Sequence, residues 1–136
     1  MENKKNVLVV DDDSTAHFLV EKVFGSLKLI NNIYKAFNGR EALQVIEKYC
    51  NGVISIPHLI LLDLHMPIMN GIEFIEALRD IECLKGRKIA IAVVSSSDCP
   101  RELERIHQLG IEHVLQKPIS AEQFSRLWRS VFGTVL

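Results

Sequence analysis

The chain has 136 residues, of which 48% are hydrophobic and 24% charged, with a formal net charge of −1. That length suits one domain whose core stands without disulfide or metal staples, and the charge balance lacks the basic excess expected of a direct nucleic-acid binder. The early apolar run "NVLVV" is too short for a secretory leader and ends in three aspartates, and no stretch reaches membrane-spanning length.

In chain order, "NVLVV" (6–10) predicts a first strand. Residues 14–27 predict a helix with Ala16, Leu19, Val20, Val23, Phe24 and Leu27 on its inward stripe and Ser14 available as a cap. "NIYKAF" (32–37) predicts a second strand, and residues 39–49 a helix turning Ala42, Leu43 and Ile46 inward. "HLILL" (58–62) predicts a buried third strand that stops on Asp63 and turns through Met66-Pro67 and Asn70-Gly71. A helix over Gly71–Ile81 buries Ile72, Phe74, Ile75 and Leu78. "KIAIAVV" (88–94) predicts the fourth strand. The helix after it has Pro100 in its first turn, Leu103, Ile106 and Leu109 inward, and Gly110 where a left-handed cap is wanted. "EHVLQ" (112–116) is the last strand, and residues 120–132 the last helix, with Phe124, Leu127, Trp128 and Val131 as packing residues.

Strands that lack polar alternation are covered on both faces, and strict strand-helix alternation requires crossovers between parallel neighbours. The expected fold is therefore α/β: a doubly wound parallel sheet of five strands, forming one domain over residues 1–136 with no output domain. Cys50, Cys83 and Cys99 form no CxxC pair and are expected to be reduced thiols of a cytoplasmic protein. His17, His58, His65, His107 and His113 show no metal-ligand spacing and are expected to be surface or satisfied residues.

Chemistry in such sheets gathers at the carboxyl ends of the strands. There the sequence puts Asp11, Asp12 and Asp13 after the first strand, Asp63 after the third, Ser95 after the fourth and Lys117 after the fifth. If Asp11, Asp12 and Asp63 lie about 5 Å apart at an effective dielectric of ~20, they repel by roughly 3 kcal/mol per pair, on the order of 10 kcal/mol in all. A typical domain is stable by only ~5 to 15 kcal/mol. Lys117 relieves part of that repulsion, and a hard divalent cation such as Mg²⁺ relieves most. Acid, metal, hydroxyl and lysine together are what phosphoryl chemistry requires.

"VLVVDDDST", "AFNGREAL", "LILLDLHMPIMNG", "AVVSSS" and "LQKP", in this order, resemble the receiver domain of two-component response regulators, with the likeness covering essentially the whole chain. The resemblance implies a flavodoxin-like (βα)5 fold of strand order 2-1-3-4-5 and a stand-alone regulator like those of chemotaxis. It implies Asp63 as phosphoacceptor, Asp12 and, through water, Asp11 on Mg²⁺, and the backbone carbonyl of His65 as a further ligand. It also implies Lys117 on the phosphoryl group, Pro118 after a peptide bond that is cis in many members, and Ser95 as the hydroxyl that senses the phosphoryl oxygen. The donor would be a histidine kinase or phosphotransfer protein, and the output a change in affinity for a downstream protein not identified by the sequence, without direct nucleic-acid binding or membrane insertion. Ser95 stands where many members carry Thr, and Val114 where many carry an aromatic ring. His65 and Ser97 flank the site and are expected to tune hydrolysis.

Two other readings compete. A receiver can lose its phosphorylation chemistry and serve only as a protein-binding module. "DDDST" also satisfies DxDxT of haloacid-dehalogenase-type phosphatases, with Asp11 as nucleophile, Asp13 as general acid and Thr15 in support. That reading leaves only Glu122 for the later acidic pair and gives Asp63 no role.

Overall fold

The structure, a computed structural model, describes residues 4–24, 29–96 and 98–133. Strands β1 (Lys5–Val10), β2 (Ile30–Ala36), β3 (Leu59–Leu62), β4 (Ala90–Ser95) and β5 (His113–Gln116) alternate with helices. The helices are α1 (Ser14–Phe24), α2 (Gly39–Cys50), α3 (Gly71–Leu78), α4 (Pro100–Gln108) and α5 (Ala121–Phe132), with a 3-10 turn at Glu82–Leu84. All pairings are parallel and the order is β2-β1-β3-β4-β5, as the flavodoxin-like expectation requires.

Alternate strand residues feed two cores, because successive side chains leave a strand on opposite faces. Leu8, Val10, Ile60, Leu62 and Val93 pack with Ala42, Ile46, Phe74, Ile75 and Ile106 of α2, α3 and α4. Val7, Val9, Leu59, Leu61, Ala92 and Val94 pack with Val20, Phe124, Leu127 and Trp128 of α1 and α5. Both faces are covered, so β3 and the Val7–Val10 stretch of β1 carry apolar residues at every position. Trp128 is a core residue at 1% exposure, as its helical spacing suggests.

The ends of the helices are chemically specified. Asn38 caps α2, and Asn70 with Glu73 and Ser120 with Gln123 form capping boxes on α3 and α5. On α1 the cap is Asp13, whose carboxylate accepts from the Thr15 amide at 2.9 Å, and not Ser14. Gly110 adopts the expected left-handed backbone at φ +81°. Ile68, in the turn between β3 and α3, adopts φ +70° although it is β-branched, a conformation that costs such a residue about 1 to 2 kcal/mol.

Helix α1 departs from its expected face. His17 and Val20 are buried, whereas Leu19 and Val23 are exposed; Leu27 and the Phe24 side chain lie outside the described residues. Apolar residues surround nearly the whole of α1, so their spacing does not single out the stripe that meets the sheet. Leu103 of α4 is likewise exposed, and α3 stops at Leu78 rather than Ile81.

The cysteines require a correction. Cys50, at the end of α2, and Cys83, in the 3-10 turn, are joined in a disulfide with a Cα–Cα distance of 5.9 Å, while Cys99 is exposed and stands outside that disulfide. Their separation of 33 residues concealed the pairing, because α2 and the segment after α3 return to the same end of the sheet. Closing a loop of that length stabilises a fold by roughly 3 to 4 kcal/mol through loss of unfolded-chain freedom. Cys50→Ser is expected to lower the thermal midpoint by about 10 °C. Reductant should lower the wild type equally and leave the variant unchanged.

Candidate functional site

The site is built by strand register. Val10 pairs with Leu62 across β1 and β3, so the next residue on each strand, Asp11 and Asp63, stand side by side. The Asp63 amide donates to the Val10 carbonyl at 2.9 Å, and the Asp11 amide to the Ala36 carbonyl at 3.1 Å. Carboxylate oxygens of Asp11, Asp12 and Asp63 all lie within 4.8 Å of one another. Asp11 and Asp63 are buried and Asp12 is exposed, so the cluster has a solvent-facing side.

Lys117, directly after β5, reaches across this cluster. Its Nζ lies 2.7 Å from Asp11 Oδ2 and 3.4 Å from Asp63 Oδ2. The Lys117 amide donates to the Ser95 carbonyl at 3.1 Å, which ties the ends of β4 and β5 together, and the Lys117–Pro118 peptide is cis. Ser95 itself is buried at 3% exposure. Sequence reading thus named four segments, and the fold brings Asp11, Asp12, Asp63, Ser95 and Lys117 to one rim.

Burial and the neighbouring Asp11 charge raise the Asp63 carboxyl above its ordinary value of 3.8, against the pull of Lys117 and a hydrogen bond from the His65 amide. For Lys117, burial acts downward, but the hydrogen bond and charge of Asp11, with those of Asp63, more than reverse it, and the ammonium is held above the usual lysine value. Lys117 therefore stays charged while Asp63 carries a carboxylate that the protein solvates incompletely. Such an oxygen is a usable nucleophile and an unsatisfied metal ligand.

Close packing holds these groups in place. A Cβ on Gly71 would come within 2.5 Å of the Asp63 carbonyl oxygen, so any side chain there would push α3 off the strand end. Asp11 Oδ1 accepts from the Asp13 amide at 2.9 Å. His65 is exposed and its ring nitrogen lies 3.1 Å from a Glu102 carboxylate oxygen, linking the turn after Asp63 to α4. Ser97 lies outside the described residues.

One contributor escaped sequence reading. His17 is buried, and its Nε2 donates to the Asp11 carbonyl at 2.8 Å. The available signal was a histidine on the helix that opens behind the acidic turn, which becomes legible only once the inward face of α1 is known. A cavity of about 320 Å³ adjoins the site, with Val9, Leu61, Val94 and Ile119 among its apolar walls and Asp63 and Lys117 at its polar part.

The donor set is all oxygen, drawn from three carboxylates on one side of a strand end, and it fits a hard divalent cation that keeps several waters. Asp11, Asp12 and Asp63 are the residues that would hold Mg²⁺. When bound, the ion supplies charge neutralisation for the acids and for phosphoryl oxygens.

Residues 7–128 match the response regulator receiver domain. The chain is 29% identical over 132 residues to a probable chemotaxis protein CheY of Rhizobium etli, covering 97% of this chain and 95% of that protein. The solved structure of Vibrio cholerae chemotaxis protein CheY4 superposes with a TM-score of 0.79 at 25% identity, over 95% of this chain and 99% of that one. A structure of the yeast (Saccharomyces cerevisiae) histidine phosphotransfer protein Ypd1 with the receiver domain of its downstream response regulator Ssk1 shares the fold, with a TM-score of 0.79 at 23% identity, covering 96% of this chain and 90% of that one.

The raised Asp63 value has a consequence for stability with a definite sign. Below the ordinary value of 3.8 Asp63 is protonated in folded and unfolded chains alike. As pH rises the unfolded chain ionises first, so the folded state loses stability until its own raised value is passed, after which the deficit is constant. Asp63→Asn is expected to raise the thermal midpoint near pH 7 without Mg²⁺, with the gain shrinking as pH falls and vanishing below the ordinary value of 3.8. Adding Mg²⁺ should raise the wild type more than the variant. An Asn variant no more stable than wild type near neutrality would contradict this electrostatic account.

Proposed function

The chain belongs to the response regulator receiver family, and we propose that it accepts a phosphoryl group on Asp63 in two-component signalling. The observation that carries the proposal is the meeting of Asp11, Asp12 and Asp63 within 4.8 Å, with Lys117 bridging Asp11 and Asp63. An Asp63 oxygen attacks phosphorus in a phosphohistidine, the P–N bond breaks, and the imidazole leaves as an aspartyl phosphate forms. Asp11, Asp12, Asp63 and the His65 carbonyl hold Mg²⁺ in this reading. Lys117 and Ser95 meet the phosphoryl oxygens.

The donor in this proposal is a histidine kinase or phosphotransfer protein, and the yeast complex supports a docked phosphotransfer partner by fold analogy. Phe18, Leu19 and Val23 leave an exposed apolar strip on α1, the helix that opens at the acidic turn, and we assign the donor to that strip. Output follows from charge: phosphorylation places ≈ −1.5 to −2 on Asp63 with strong acceptor oxygens, which changes the affinity for a downstream protein. We propose a cytoplasmic signalling role without turnover of an external substrate. Support comes from the similarity to the chemotaxis relative, which extends over 97% of this chain. Among the described residues no helix is long and apolar enough to cross a membrane.

The phosphatase alternative has little to stand on. Its general acid would be Asp13, which is exposed and engaged as the α1 cap. The loss-of-chemistry alternative is separated by direct assay. Incubation with a small acyl phosphate and Mg²⁺, followed by intact mass, is expected to show one added phosphoryl group in wild type and none in Asp63→Asn or without Mg²⁺. No adduct in wild type would favour a binding module, and sustained phosphate release a phosphatase.

The route of the conformational response also follows from the sequence. Val114 is a small, exposed side chain on β5, so no large ring is available there to swing inward. The His65–Glu102 contact instead links the turn after Asp63 to α4. Amide exchange with and without a phosphoryl mimic is expected to change most in the loop after Ser95 and in α4. A reorganised β5 beside an unchanged α4 would contradict this.

A further inference from the structure

We propose that His17 is a positioning residue for the metal site: by donating a hydrogen bond to the Asp11 carbonyl, it sets the direction of the Asp11–Asp12 peptide and thereby places the Asp12 carboxylate. The inference rests on the reading of Asp11, Asp12 and Asp63 as magnesium ligands.

His17 is 3% exposed, six residues beyond Asp11, with Nε2 at 2.8 Å from the Asp11 carbonyl oxygen. A carbonyl oxygen only accepts, so Nε2 carries the proton in this contact. Nδ1 is buried without a hydrogen-bond partner. A leucine or phenylalanine would fill the same volume without an orphaned polar atom, so the imidazole is costly here unless its donated bond does something an apolar residue does not.

What that bond does follows from the rest of the Asp11 environment. The Asp11 amide is held by Ala36, Oδ1 by the Asp13 amide, and Oδ2 by Lys117. The carbonyl is the remaining polar group of Asp11, and His17 holds it. With all four fixed, rotation of the Asp11–Asp12 peptide is restricted, and Asp12 is the exposed carboxylate of the three. Partners that orient ligands in this way are typically worth about 10- to 100-fold in metal affinity.

The imidazole is itself held from behind. Its ring lies against Phe37, with centroids 4.4 Å apart and an interplanar angle of 37°. Phe37 directly precedes Asn38, the cap of α2, and its amide donates to Glu41 at 2.9 Å. The β2–α2 turn is thereby packed against the residue that orients the β1–α1 turn.

The test uses the full chain and Mg²⁺ alone as the probe. Titration calorimetry is expected to show Mg²⁺ binding weakened about tenfold in His17→Leu and restored to within about threefold of wild type in His17→Gln, whose amide N–H can replace the ring donor. In acyl phosphate assays His17→Leu should need about tenfold more Mg²⁺ for half-maximal phosphorylation and reach a near wild-type plateau. In the metal-free wild type, ¹⁵N shifts should identify His17 Nε2 as the protonated nitrogen, a readout that stands even where a variant does not fold. Wild type that binds no Mg²⁺ would remove the reading on which the inference rests. Wild type that binds, together with His17→Leu of equal affinity, would overturn the inference alone. Equal losses in the Leu and Gln variants, or a proton found only on Nδ1, would also overturn it.

Discussion

Mutual repulsion among carboxylates at the ends of β1 and β3 is the constraint around which this molecule is organised. Parallel pairing of Val10 with Leu62 forces the next residues into proximity, and both are acids that the fold buries. A cluster of this kind persists only where cations answer it. Lys117 supplies one permanent positive charge, delivered from the far edge of the sheet by β5 and tied to Ser95 on the way. The remaining negative charge, carried on oxygen ligands alone, suits the site to a divalent ion.

The surrounding scaffold resists collapse of that arrangement. The apolar β3 and the Val7–Val10 stretch of β1 anchor the acids from below, and close approach of Gly71 to the Asp63 carbonyl seats α3 against the strand end. The turn that follows tolerates Ile68 in a left-handed conformation. Local propensity therefore yields to the site's geometry where the two conflict.

Much of this was legible in the residues. Strands without polar alternation identified a sheet covered on both faces, and the acids, serine and lysine at the strand ends pointed to one rim. What stayed hidden has a physical reason in each case. On α1 the apolar residues run almost all round, so spacing misplaced its buried face and with it His17, whose role depends on facing the acidic turn. Ser14 looked like the cap of α1 because either residue type can fill that position and the two are adjacent in the chain, whereas the structure uses Asp13. Cys50 and Cys83 are distant in the chain and become neighbours only through the return of two helices to the same end of the sheet. Local pattern reaches across one element, whereas these features depend on how elements meet.

The Cys50–Cys83 bond also changes the covalent topology of the molecule. With it closed, β3, Asp63 and the whole of α3 sit within a ring of the main chain rather than along a line. A single backbone cut within that ring leaves one covalent molecule instead of two fragments. Asp63 then remains attached from both directions, so a nick in the turns around it cannot by itself carry its carboxylate away from Lys117.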